Sequence, residues 1–299
     1  MGGLFIILAG MLWAFDTLIR YPLLGEVSPA AIVFIEHFFL VLIFMPYFLK
    51  NWFIFFEMKL SAYFYFFIIG MLGSGVGTLA FTKAFSLINP SAVILLQKLQ
   101  PVVAISLSYL ILNEKIKNEF LIYAFVSLLG AVFISFPDLA QQDMLLVIEK
   151  YFNQQSYTGY LYTLLAVFVW GASTVFGKKL TQEGLDSKQI MAGRFTMGFV
   201  FMSIYLSSTH SWSQFQTIAL SVYPKVFLMV ILAGILGMYF YYQGLKKVSA
   251  KVCALLELFF PLFACAINWI FLKQELGTMQ IVGAIMLTLS SAMISWRKL

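Results

Sequence analysis

Gly2-Gly-Leu-Phe-Ile-Ile-Leu-Ala-Gly-Met-Leu-Trp-Ala-Phe-Asp-Thr-Leu-Ile-Arg20 decides the fold class, because nothing in it before Asp16 carries a charge. A helix rising 1.5 Å per residue needs about 20 mostly apolar residues to cross the hydrocarbon core of a bilayer. This stretch supplies them. Further apolar runs of similar length follow at 30–49, 61–82, 91–112, 119–137, 159–177, 189–207, 224–244, 250–272 and 277–296. Composition agrees: 62% of the residues are hydrophobic and 11% charged, where a soluble domain carries roughly 25% charged. Lipid is the solvent such a chain requires.

The net charge of +6 would point to nucleic acid in a soluble protein. Here Lys and Arg sit in short clusters between apolar runs, as membrane topology demands. The expected partner is therefore a lipid bilayer, and not nucleic acid; a small-molecule substrate is expected from the internal repeat. Twelve basic residues, among them Lys50, Lys115, Lys178 and Lys246, fall on the side of the chain termini, against five on the other. That bias places both termini in the cytoplasm. The N-terminus lacks a basic region ahead of its apolar run, so the first helix reads as retained. Cys253 and Cys265 share one apolar run, about 18 Å apart along a helix, too far for a disulfide with each other. No Cys/His metal spacing exists, and neither a metal nor a cofactor is expected.

The chain also repeats itself. A shift of 157 residues pairs Gly2 with Gly159, Trp13 with Trp170, Thr17 with Thr174 and His37 with Arg194. A shift of 160 pairs Gln97 with Glu257 and Pro101 with Pro261. Five helices is an odd number, so a second copy enters the membrane upside down. The connections agree: 20–29 and 83–90 hold one basic residue each, their counterparts 178–188 and 245–251 three each. Opposite charge bias in related sequences marks an inverted-topology repeat. The expectation is an all-α integral membrane protein of ten transmembrane helices, built as two inverted five-helix repeats at 1–137 and 159–299. A polar linker at 138–158 joins them, its Met144–Phe152 patch resting on the membrane surface. Such a repeat offers two exchangeable arrangements around a midplane site, the physical basis of alternating access.

Gly10-Met-Leu-Trp-Ala-Phe-Asp16 and Ala166-Val-Phe-Val-Trp-Gly-Ala-Ser-Thr174 resemble the Trp-Gly-(Ser/Ala) segment that opens each half of the EamA-type family of the drug/metabolite transporter superfamily. Ala84-Phe-Ser-Leu-Ile-Asn-Pro-Ser-Ala92, Pro101 and Leu112-Asn-Glu-Lys-Ile116 resemble the family's third-to-fourth helix signature. Gly244-Leu-Lys-Lys-Val-Ser-Ala250, Pro261 and Leu272-Lys-Gln-Glu-Leu276 repeat it. The resemblance spans the chain. It implies a ten-helix transporter of the bacterial inner membrane that moves amino acids, nucleotide-type metabolites or drugs, with export the commoner direction. His37 stands where the family usually has Arg, and Asp16 and Glu36 also depart from its pattern.

An ionisable side chain at a helix centre costs about 2.5–3.5 kcal/mol on insertion scales, so such residues are the default functional candidates. Asp16 and Arg20 lie four apart and can pair on one helix. Arg20, near the helix end, is read as snorkelling or structural. Glu36 is a candidate cavity acid whose other role is a partner for His37, Arg20 or Lys98. Arg194 can hold a carboxylate or phosphate, or clamp Glu257 or backbone carbonyls. Gln97, Lys98 and Gln100 precede Pro101 as Glu257 precedes Pro261, and a proline frees a carbonyl one turn earlier. Freed groups are tolerated at membrane depth where they line a cavity. Glu257, Pro261, Ala264 and Asn268 share one stripe. The candidate substrate-binding residues are therefore Trp13, Gln97, Lys98, Trp170, Arg194, Tyr241, Glu257 and Asn268. Asp16, Glu36 and Glu257 are the candidate proton carriers. Packing between helices is the competing role for Trp13 and Trp170, and the membrane interface for Tyr241.

A secondary transporter of small polar metabolites such as amino acids fits this pattern best. A membrane enzyme acting on a lipid or prenyl substrate would need metal-binding clusters or a nucleophile and base, and His37 and His210 are the only histidines. A scaffold role would leave Glu257 and Lys98 without function beyond stability.

Overall fold

The computed structural model describes residues 1–88, 90–135, 157–272 and 277–297. Everything regular in them is helical. We number the helices α1 (Gly2–Leu23), α2 (Pro29–Lys50), α3 (Leu60–Leu87), α4 (Pro90–Gln97), α5 (Gln100–Leu112) and α6 (Asn118–Ser135). Then come α7 (Tyr157–Gln182), α8 (Ser187–Ser208), α9 (Val222–Lys247), α10 (Ala250–Leu256), α11 (Phe259–Leu272) and α12 (Thr278–Trp296). Six of them, α1, α2, α3, α7, α8 and α9, are long and apolar enough to cross a membrane, and α5, α6 and α12 are shorter apolar helices. The linker expected at 138–158 lies outside the described residues except for its last two positions, which open α7.

Local chemistry sets the helix starts. Ser28 caps α2, accepting the Ala31 N–H at 3.2 Å, and Pro29 fills the first helical position, where an N–H would be wasted. Asp186 and Gln189 form a reciprocal capping box on α8, at 2.8 and 2.7 Å. The apolar run 91–112 is not one straight helix but α4 and α5, and 250–272 is likewise α10 and α11. Each break falls one turn before a proline, Pro101 or Pro261, which can give no N–H to the carbonyl four residues back. Tight turns take over there: Leu99 N–H donates to Leu96 O at 3.0 Å, and Leu258 N–H to Leu255 O at 3.1 Å.

Two helices are also widened. Residues 67–77 of α3 and 230–237 of α9 are π-helical, with extra backbone per turn. Packing exchanges helices between the two parts of the chain. α3 lies against α7 and α8, α9 lies against α1, and α5 and α11 flank α7 and α1 in turn. α12 runs along α6, where Ser127 and Ser290 share a 2.7 Å hydrogen bond. Gly130 and Gly283 allow that crossing, since a Cβ on Gly130 would stand 2.7 Å from the Gly283 carbonyl. One large apolar cluster joins helices from both parts of the chain, with Ile6, Ile69, Phe120, Met191, Tyr242 and Leu287 fully or almost fully buried in it.

Candidate substrate-binding site

The breaks and widened helices converge on one cavity of about 200 Å³. α1 contributes Trp13, Asp16, Thr17 and Arg20, spaced three or four apart and so on one helix face. α2 contributes Glu36 and His37, α7 Trp170 and Thr174, α8 Arg194 and α9 Tyr241. The α4–α5 break supplies Gln97, Lys98 and Gln100, and the α10–α11 break supplies Glu257, Leu258 and Phe260. The cavity thus collects every candidate residue named from the sequence except Asn268, which lies on α11 and whose side chain falls outside the description.

The charges on α1 and α2 are mutually spent. Arg20 donates from Nε and Nη2 to the two oxygens of Asp16, at 2.8 and 3.0 Å, and from Nη2 to Glu36 Oε2 at 3.0 Å. Its Nη1 reaches the Thr82 hydroxyl at 3.4 Å. Arg20 is only 6% exposed, so it pairs inside the protein and does not snorkel. His37 is tied to its surroundings. Its Nδ1 must donate to the Val33 carbonyl, at 2.8 Å, and its Nε2 hydrogen-bonds the Ser74 hydroxyl, 2.9 Å away.

Glu257 sits in a different environment. Its carboxylate accepts from Gln100 Nε2 at 2.6 Å, Thr174 Oγ1 at 3.3 Å and Cys253 Sγ at 3.7 Å, and Tyr241 donates to Thr174 Oγ1 at 3.0 Å. Among the described residues these recorded donors are all neutral. Lys98 is buried, with Nζ 5.0 Å from the centre of the Phe260 ring. Arg194 Nη1 donates to the Tyr242 hydroxyl at 3.0 Å, not to Glu257 or a backbone carbonyl. The two tryptophans have matching surroundings. Trp13 packs on Tyr241 with ring centres 5.4 Å apart, and Trp170 on Phe81 at 4.8 Å. Trp170 also donates its indole N–H to Gly73 O at 2.9 Å, inside the widened turn of α3.

Some members of the site carried little signal. Gln100 and Thr174 were visible only as a neighbour of Pro101 and as the repeat partner of Thr17, yet they hold Glu257. Ser74 and Phe81 had none, since a lone Ser or Phe in an apolar helix resembles many others. No group of three His, Cys, Asp or Glu able to hold a metal occurs among the described residues.

Comparison with known proteins assigns this architecture. The model of the EamA-like transporter family matches residues 1–136 and 157–296. A riboflavin transporter, ImpX, of Fusobacterium nucleatum subsp. nucleatum is 30% identical over 306 residues, covering 98% of this chain and 97% of that protein. A crystal structure 14% identical superimposes with a TM-score of 0.71 over 97% of this chain and 95% of its own, a likeness of fold. The family and the relative point to transport rather than catalysis. The chain belongs to the EamA-like transporter family and is a multi-pass membrane transporter of small metabolites.

Proposed function

We propose a secondary carrier that works by alternating access, with ten crossing helices arranged as inverted five-helix repeats at 1–137 and 159–299. Both termini are cytoplasmic and the membrane is the bacterial inner membrane in this reading. The observation that carries it is the cavity itself, walled by two interrupted helices, two widened helices and two tryptophans. Each of these features comes once from either part of the chain. The separate family matches to 1–136 and 157–296 support the same division. Two equivalent sets of helices around one site can exchange roles, which opens the site first to one side and then to the other.

The cargo is a planar, hydrogen-bonding heteroaromatic of the riboflavin class. Trp13, Phe81, Trp170 and Phe260 line the cavity together with amides and carboxylates, and the relative from Fusobacterium nucleatum is a riboflavin transporter. An amino acid, the cargo named first from sequence, has less use for four aromatic walls. Glu257 is the coupling acid of this reading, because its recorded hydrogen-bond donors are neutral, whereas Asp16 and Glu36 share Arg20. A carrier of this kind is reversible, so net direction follows the gradients, and the export implied by the family resemblance is one arm of the test.

That test is flux in proteoliposomes. Riboflavin should equilibrate in both directions, and excess unlabelled riboflavin on the far side should accelerate it. Flux of alanine, leucine or glutamate with none of riboflavin would overturn the cargo. Absence of counterflow in the presence of flux would overturn alternating access.

A further inference from the structure

Four buried side-chain atoms among the described residues have no hydrogen-bond partner in the protein: Gln97 Oε1, Arg194 Nε, Ser249 Oγ and Ser291 Oγ. Gln97 and Arg194 line the cavity; the two serines do not. The cavity pair is of opposite kind. An amide oxygen only accepts and a guanidinium N–H only donates. Buried polar atoms are almost always paired, so an exception asks for a reason. Two exceptions on residues that line one aromatic-walled cavity have a shared one.

The Arg194 guanidinium is anchored by its Nη1 bond to Tyr242, whose side chain is wholly buried. Gln97 closes α4 at the break before Pro101. A ligand that satisfies both must offer one donor and one acceptor, and the aromatic walls select a flat ring to carry them.

We infer that Gln97 and Arg194 read the two polar edges of a cyclic imide or lactam. Gln97 Oε1 accepts from the ring N–H, and Arg194 Nε donates to a ring carbonyl. This rests on the flavin-class cargo proposed above and adds which of its atoms are recognised. The isoalloxazine ring of a flavin carries such a pair, an N3–H flanked by two carbonyls. A zwitterionic amino acid also carries a donor and an acceptor, but no plane for the walls to hold. Arg194 acts here as a hydrogen-bond donor to a neutral carbonyl, not as a counter-ion.

The experiment is binding to the purified full-length protein in detergent, read by quenching of ligand fluorescence. The ligands are riboflavin, lumiflavin, whose only N–H is at N3, and 3-methyllumiflavin, which has none. The wild type should bind lumiflavin about tenfold more tightly than its methyl derivative, the difference of one well-formed hydrogen bond. Gln97→Leu should bring that ratio within about twofold while still binding 3-methyllumiflavin, which also shows that it folds. Arg194→Met should weaken both lumiflavins alike by about tenfold and keep their ratio, because the carbonyl survives methylation. Equal binding of the two lumiflavins by the wild type overturns the assignment, as does a ratio unchanged in Gln97→Leu. Riboflavin bound without lumiflavin overturns it too, since the side chain of riboflavin would then carry recognition. Failure of all three ligands removes the flavin cargo itself, an outcome distinct from the others.

Discussion

Arg20→Met is the sharpest test of how this chain carries charge inside an apolar bundle. Arg20 makes three charge-assisted bonds of 2.8 to 3.0 Å to two carboxylates. The three side chains are 7–11% exposed. A hydrogen bond to a charged group nets about 1.5–3 kcal/mol, but three cannot be added, because dehydrating the ions opposes them. The better guide is the cost of breaking a buried pair by removing one partner, about 3–5 kcal/mol. Arg20→Met should reach the upper part of that range, since it strands Asp16 and Glu36 together and leaves them to repel. Glu36→Gln should cost less, because the two-pronged Asp16–Arg20 contact remains. Adding Asp16→Asn and Glu36→Gln to Arg20→Met should recover much of the loss, since no unpaired charge is then left. The assay is reversible unfolding in mixed micelles of rising SDS fraction, followed by circular dichroism. A loss in Arg20→Met below about 1 kcal/mol, the range of a solvent-exposed pair, would refute the reasoning. So would a triple variant less stable than the single one.

Gly283→Ala should destabilise by about 1–3 kcal/mol, the usual cost of overpacking. Its Cβ would fall 2.5 Å from the Gly130 carbonyl and 2.8 Å from Ile134 N, both backbone atoms, so α6 and α12 must part; an unchanged unfolding midpoint would mean that this crossing is wrong. Glu114→Ala should cost about 1 kcal/mol by the same assay. Its carboxylate accepts the Ala250 and Lys251 N–H groups at the start of α10, at 2.7 and 3.1 Å, and Glu114→Gln, with one acceptor oxygen fewer, should fall between Ala and the wild type. Glu257→Gln should fold and bind ligand yet lose the pH dependence of flux in proteoliposomes; flux with the wild-type pH profile would remove Glu257 as the coupling acid.

The apolar runs were legible because lipid leaves a helix no other composition, and the described helices begin and end within a few residues of them. The breaks were partly legible. Pro101 and Pro261 announced a missing N–H, but not that each run would divide into two helices. The widened turns at 67–77 and 230–237 were not legible at all. Helix type depends on what packs there, such as the Trp170 indole that takes up the Gly73 carbonyl. Partnership across helices was hidden for the same reason. The Asp16–Arg20 pair could be read from its spacing of four, but Glu36 joins it from another helix, and Tyr242 meets Arg194 across 48 positions of chain.

That hidden layer sorts the three acids that looked alike in the sequence. Asp16, Glu36 and Glu257 are each a single carboxylate in an apolar run, and each carries the same insertion cost. The structure gives the first two one cation to share, so a proton arriving at either must displace an ion pair. Glu257 is held by an amide, a hydroxyl and a thiol. Protonating it changes the charge of the cavity while the shape of that network can persist, because Gln100 and Thr174 can each turn to accept where they had donated. The proton coupling proposed above needs such a site, one that takes and loses charge without dismantling its own wall. The partners on α5 and α7 that would give Glu257 that property could not have been supplied by any reading of the apolar run 250–272 alone.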